Sequence, residues 1–228
     1  EDLKNLADFG ALSLNSNYRV LHLNNPFNES NTSYYHKSIG GYHGAKLKRY
    51  QELIEFYITN EIQLISQQIG KEKNNVLNMY RMSPKLASLR SLPEDQQKKQ
   101  MQFIYDTIAI KSIKATTPIL NMLNTKYVVT NKAIDPVENT NKNGNCWFVE
   151  KLKPVGSANK EMLALKEIDL KKEAVVPSSQ IKKSSWVKNI NDSIYMTSYG
   201  TNKISYSSCS SDKTAYIMFT SGSTGSPK

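Results

Sequence analysis

The sequence predicts an α+β fold, a mixed sheet with a few packing helices. Three observations predict it. Short runs rich in Val, Ile and Tyr are scattered along the chain, two long stretches carry apolar residues at helical spacing, and the two kinds do not alternate in a regular βαβ order. No internal repeat is visible. With 228 residues, 39% of them hydrophobic, the chain has material for one large domain or two small ones.

Each element follows from local pattern. "YRVLHL" at 18–23 reads as a strand between turn residues, and "NNPFNESNTS" after it as a polar loop holding Pro26. From Ala45 to about Ile69, Leu47, Tyr50, Ile54, Tyr57, Ile58, Ile62 and Ile65 recur at spacings of three and four, one face of a helix that Gly70 is placed to stop. A second helix is expected over 91–113, with Pro93 in its first turn and Glu94 and Asp95 at its positive end. "TPILNMLNTKYVVTN" reads as a short helix running into a strand at Lys126–Thr130, and "AIDPVENTNKNGN" as a turn-rich loop. "CWFVEKLKPV" reads as a strand, and "ANKEMLALKEIDLKKEAVV" as a short helix followed by a strand at Ala174–Val176. In "SIYMTSYGTNKISYSS", Tyr195, Thr197 and Tyr199 alternate with Met196 and Ser198 before Gly200, the pattern of a hairpin. "TAYIMF" is a final strand.

Charge narrows the partners. Thirty basic against twenty acidic residues give a net +10, spread as pairs such as Lys98–Lys99 and Lys171–Lys172. Such a surface is either simply solvated or meets anionic lipid headgroups or glycans. There is no arginine-rich arm or nucleic-acid motif, so nucleic acid is not expected. Cys146 and Cys209 lack the spacing of a zinc site, and one disulfide between them stays open as a possibility. No stretch reaches the roughly 18 to 20 consecutive apolar residues of a membrane helix. Sequons stand at Asn28, Asn31 and Asn191.

The densest chemistry lies in Tyr34-Tyr35-His36-Lys37-Ser38-Ile39-Gly40-Gly41-Tyr42-His43-Gly44. Tyr35, His36, Lys37, Gly40, Gly41, Tyr42, His43 and Lys46 are the candidate ligand-binding residues. Glycines let a phosphate or sugar approach the backbone, lysines supply charge, and phenol rings stack on sugar faces. The plainer reading is that tyrosines and histidines fill a half-buried surface while the glycines make a turn. His36 and His43 have no carboxylate close by in sequence, so a metal is not expected there. Asp106, Asp135, Glu138 and Glu150 are separate carboxylates without catalytic pairing, and no catalytic residue is identified.

Four separated stretches, "NPFNESNTSYYHKSIGGYHGAKLKRYQELI", "PILNMLNTKYVV", "GNCWFVEKLKPV" and "EMLALKEIDLKKEAVV", resemble the YfhO family of bacterial membrane proteins, in the form seen in Bacteroidetes-type bacteria. The resemblance runs in the family's order over about residues 18–208. It implies a large multi-spanning protein of the bacterial inner membrane whose membrane helices mostly precede residue 1, with residues 1–208 as a soluble extracytoplasmic (periplasmic) domain. It further implies kinship with glycosyltransferases that use lipid-linked sugars, a part in cell-envelope glycan assembly, and contact with the membrane, anionic lipid or lipid-linked glycan. The catalytic acid of such enzymes lies near their first membrane helices, so no complete active site and no cofactor are expected within this stretch.

The chain closes on "YIMFTSGSTGSPK", which resembles the ATP-binding signature of AMP-binding, adenylate-forming enzymes through Thr220, Ser221, Gly222, Ser223, Thr224, Gly225, Pro227 and Lys228. Glycine amides, hydroxyls and a lysine together suit phosphate oxygens. The later motifs of that family do not follow, and its earlier blocks do not precede. Residues 209–228 therefore read as a truncated strand and phosphate loop joined to an unrelated domain, a fusion or artefactual tail. The alternative is an N-terminal piece of a cytoplasmic ATP-dependent ligase, with ATP as its cofactor. Opening on Glu1 and closing on Lys228 inside a motif, the chain is expected to be a piece of a longer protein.

Overall fold

The structure is a computed structural model, and its described residues are 17–42, 44, 46–82, 91–130, 136–181, 192–200 and 203–209. The fold is α+β with a mixed sheet, as the pattern predicts. The chain divides into two compact units. One takes in the described residues of Glu1–Tyr42, Ile58–Thr117 and Thr125–Asn141; the other takes in those of His43–Tyr57, Pro118–Asn124 and Lys142–Lys228.

The first unit is built on a three-stranded sheet ordered β1 (Arg19–His22), β2 (Thr125–Val129), β3 (Val137–Glu138). β1 and β2 run parallel, with Leu21 opposite Val128 and His22 opposite Val129, while β3 runs antiparallel to β2. Their β-branched residues suit a pleated, buried surface. Val20, Leu21, Val128 and Val129 are all almost wholly buried. The loop predicted over 133–145 thus contains a strand. Asn139 fixes it: its backbone N–H donates to Lys126 O at 2.7 Å, its side-chain amide donates to Thr125 O at 3.0 Å, and its Oδ1 accepts from Asn141 N at 3.0 Å. Short helix α1 (Asn31–Tyr35) follows β1 and packs beside it.

The predicted helix over 45–69 is present in three parts. These are α2 (Lys48–Leu53), a π-helical turn (Ile54–Ile58) and α3 (Thr59–Met82). The π turn lies where the chain passes from the second unit into the first. The apolar stripe holds: Ile54, Tyr57, Ile58, Ile62 and Ile65 are buried. Leu47 departs from it, being 58% exposed, because it is the cap residue before the first helical turn. Gly70 does not stop the helix, which runs twelve residues past it to Met82. A glycine costs only about 1 kcal/mol in a helix interior, which a 24-residue helix tolerates. In the first unit α3 packs against α4 (Glu94–Thr116), which also meets β3. Pro93 sits at the cap just ahead of α4, and its carbonyl accepts from the N–H groups of Gln96 and Gln97. Lacking an N–H and fixed at φ near −65°, proline suits this entry.

In the second unit, α5 (Pro118–Met122) turns at Asn124, whose φ is +56°. The strand predicted over 146–155 is confined to β4 (Lys151–Val155), which pairs in parallel with β5 (Glu173–Pro177). Between them lies α6 (Ala158–Ala164), whose start is capped by Ser157: the hydroxyl oxygen accepts from Lys160 N at 3.3 Å. The predicted hairpin forms from β6 (Ser193–Tyr199) and β7 (Ile204–Cys209), with Gly200 N donating to Lys203 O across its end. Ile194 and Met196 are half-buried while Tyr195, Thr197 and Tyr199 are exposed, the alternation of a one-sided ribbon. Ile119, Leu120, Phe148, Val149, Leu170 and Ala174 are among the buried apolar residues of this unit. Among the described residues no helix is long and apolar enough to cross a membrane.

Candidate functional site

The Tyr34–Tyr42 block belongs to the first unit and is held against β1. Val20 N donates to Lys37 O at 2.9 Å and Ile39 N donates to Val20 O at 3.0 Å, so residues 37–39 follow β1 as a short parallel bridge. Ile39 is fully buried and His36 nearly so. His36 ends α1, its backbone N–H donating to Thr32 O. The glycines carry the close approach. A Cβ on Gly40 would stand 1.7 Å from the Pro26 carbonyl oxygen, and Gly41 adopts φ +106° while its N–H donates to that same oxygen at 2.7 Å.

This arrangement decides what the block can offer a ligand. Gly40 N donates to Ser38 Oγ, Gly41 N to Pro26 O and Tyr42 N to Glu29 O. Three successive amides that would have cradled a phosphate are thus engaged within the protein. What faces solvent is aromatic. Tyr34 and Tyr42 are 80% and 76% exposed, and Tyr34 meets Tyr35 edge to face with ring centres 4.8 Å apart. Lys37 reaches Asn17 Oδ1 at 3.3 Å, and its pKa is pushed down by burial and by the nearby Arg19 charge. Lys46, half-buried, lies in the second unit. His43 and the terminal signature Thr220, Ser221, Gly222, Ser223, Thr224, Gly225 and Lys228 lie outside the described residues.

The same sheet carries a cluster that pattern reading missed. Tyr18 and Tyr127 meet edge to face with centroids 5.3 Å apart, and Lys126 Nζ stands 4.9 Å from each ring centre. Glu138 approaches the same ammonium at 3.9 Å. Residues 18, 126 and 138 meet only because β1, β2 and β3 are neighbours, and such a cation–π arrangement is part of how a surface lysine is held in place.

The second unit contains a cavity of about 340 Å3. Its wall is a loop, 143–150, pinned by asparagines. Asn143 N donates to Asn121 O and its side chain donates to Leu170 O, while Asn124 donates to Asn145 Oδ1 at 2.8 Å. These bonds hold Cys146, Trp147 and Phe148 along the cavity, whose rim is completed by Glu150, the Lys171–Lys172 turn and the first residues of the hairpin, Asp192 to Ile194. Glu150 N donates to Lys172 O, so the two sides of the rim are joined by backbone. The indole N–H of Trp147 is buried with no acceptor. Cys146 is a free thiol, buried, and burial pushes its pKa up; an apolar thiol of this kind is a poor nucleophile. Cys209 is also free, and exposed, so the disulfide left open by the sequence is not formed.

Elsewhere in this unit Arg49 pairs with Glu161, the Tyr57 hydroxyl donates to Met162 O, and Lys166 stands 5.8 Å from the Tyr57 ring centre. These contacts tie α2 and the π-helical turn to α6 and the turn that follows it, and position no group for chemistry. Among the described residues no group of three or more His, Cys, Asp or Glu is arranged to hold a metal ion. Comparison with known protein families, with curated proteins and with solved structures finds no match to this chain.

Proposed function

We propose that the chain is the extracytoplasmic, periplasmic portion of a multi-spanning bacterial membrane protein like those of the YfhO family. In this reading it meets anionic lipid or lipid-linked glycan during cell-envelope glycan assembly, and its parent transfers sugar from a lipid-linked donor. The observation that carries the reading is the order of four separated blocks between about residues 18 and 208, which no single short pattern imitates. The net charge of +10 supports it, since a basic face gains binding energy near an anionic surface. The exposed phenols of Tyr34 and Tyr42 offer stacking faces beside that charge. The catalytic acid belongs to the parent's membrane portion, so this stretch binds rather than reacts. The side of the membrane is tested inside the domain, at the exposed Ser179. In spheroplasts carrying the whole parent protein with Ser179→Cys, a membrane-impermeant maleimide should label the variant above the unaltered protein without permeabilisation. Labelling only after lysis would overturn the assignment.

A second reading is kept because a specific string favours it. "FTSGSTGSPK" is the phosphate-loop signature of adenylate-forming ligases, and the chain would then be the early part of such an enzyme. ATP–pyrophosphate exchange with a panel of carboxylic and amino acids separates the two. The first reading expects no exchange above background from this chain; robust exchange favours the ligase.

A further inference from the structure

We propose that Asn143 is a site of spontaneous deamidation in the folded protein, and that its conversion to aspartate or isoaspartate releases the loop it pins. The inference stands apart from the membrane-facing reading, because it rests on one dipeptide and its surroundings. Of the chain's asparagines, Asn143 alone precedes a glycine. Deamidation begins when the backbone nitrogen of the following residue attacks the side-chain carbonyl carbon, and a side chain on that residue obstructs the approach. Gly144 carries none, and its φ of +90° lies in the region that favours glycine. No atom outside its immediate chain neighbours lies closer than 3.9 Å to the Cβ it lacks. Among the described residues the Gly144 N–H donates to no protein acceptor, so the attacking nitrogen is not tied up. Attack closes a five-membered ring within one stretch of chain, which holds the two reactants at high effective concentration.

The balance is water in and ammonia out. The bond from Gly144 N to Asn143 Cγ forms, the Cγ–Nδ2 bond breaks, and the proton lost by the Gly144 nitrogen passes through water to the departing ammonia. Water then opens the ring. Opening at Cγ gives aspartate; opening at the Asn143 backbone carbonyl gives isoaspartate, whose main chain runs through the side chain. Asn143 is half-buried and lines the cavity, so water reaches both steps. The leaving amide is held by one bond, from Nδ2 to Leu170 O at 3.3 Å, which is long for a hydrogen bond. Nearby asparagines are better guarded. Asn139 is buried and bonded through both polar side-chain atoms, Asn145 Oδ1 accepts from Asn124, and Thr140, Lys142 and Cys146 put a side chain after Asn139, Asn141 and Asn145. The product alters the loop. The amide gives Leu170 O a donor, whereas a carboxylate has none and sets negative charge against that oxygen. Isoaspartate also inserts a methylene into the main chain beside the bond from Asn143 N to Asn121 O. The segment that carries Cys146, Trp147 and Phe148 along the cavity thereby loses its anchor at one end, an irreversible change that comes with age.

The test is peptide mapping by mass spectrometry on the full 228-residue chain, kept folded at neutral and at mildly alkaline pH. Aspartate and isoaspartate, told apart by electron-transfer fragmentation, should accumulate at position 143 at least about tenfold faster than at Asn141 or Asn145. Conversion should quicken as pH rises, since the attacking nitrogen reacts after losing its proton. In Asn143→Gln, where attack must close a larger ring, it should slow about tenfold or more. Asn143→Asp stands in for one product, and hydrogen exchange in its peptide 143–150 should be about fivefold faster than in the unaltered chain. Conversion at Asn143 in the folded chain no faster than at Asn141 and Asn145 overturns the site, even where urea-unfolded chain converts. A rate that falls as pH rises, or undiminished conversion in Asn143→Gln, overturns the mechanism. Unchanged exchange in Asn143→Asp overturns the release of the loop. None of these outcomes bears on vesicle binding or on membrane sidedness, so this proposal and the membrane-facing one fail separately.

Discussion

Gly40 shows how a residue chosen for chemistry on sequence grounds can be required by geometry. Its missing Cβ is what lets the backbone lie against Pro26, where a methyl would fall 1.7 Å from a carbonyl oxygen. The carbonyl it would meet is backbone and cannot swing aside. Gly40→Ala should therefore lower the unfolding free energy by about 3 kcal/mol in urea titrations, with the m-value unchanged. Lys37 gives a pH prediction. Its folded pKa lies below the ordinary 10.5 because burial, and then Arg19, disfavour the charged form. Below the folded pKa both states hold the proton and the penalty on the fold is fully present. As pH rises from the folded value toward 10.5, the folded state sheds its proton first, and stability is recovered. Lys37→Met should accordingly be more stabilising, relative to the unaltered chain, at about pH 7 than at about pH 10. An equal effect at both would show that the lysine charge is not what the fold resists.

At the scale of elements, long periodic signals were legible and short ones were not. The stripe Ile54, Tyr57, Ile58, Ile62, Ile65 announces a helix because burial repeats at three and four residues, and all five are buried. The hairpin announces itself through alternation. β3 was not legible, since Val137 and Glu138 become a strand only by pairing with Val128 and Tyr127, nine and eleven residues away in sequence. The end of α3 was misplaced for a different reason. A glycine after an apolar stripe signals a helix end, yet Gly70 sits within a helix long enough to carry it. Nothing lies within 4 Å of the Cβ it lacks. Gly70→Ala should therefore stabilise the protein by about 1 kcal/mol, seen as a raised denaturation midpoint. Destabilisation there would mean that the helix ends at Gly70 after all.

Over the whole molecule, the order and spacing of apolar runs carried the class of fold and composition carried the sign of the net charge, whereas the sites depend on long-range juxtaposition. The tyrosine and glycine block was visible because its residues are contiguous, but its backbone amides turned out to serve the fold. The cavity was invisible because Trp147, Lys171 and Asp192 meet only after folding, each looking ordinary in its own stretch. Cys146 likewise resembled half of a disulfide until burial showed it as a free core thiol. Charge is the property that belongs to the chain as a whole. Exposed Lys48, Lys98, Lys99, Lys151 and Lys160 exemplify the excess of ten positive charges that would draw it to an anionic surface. Such attraction is screened within about 10 Å at 0.1 M salt.

Cosedimentation of the 228-residue chain with lipid vesicles puts that claim to the most direct test. Vesicles containing anionic lipid or polyprenyl phosphate should retain the protein at about 50 mM salt and release most of it by about 500 mM, while neutral vesicles retain little at either. Equal retention on neutral and anionic vesicles, or binding indifferent to salt, would contradict the account.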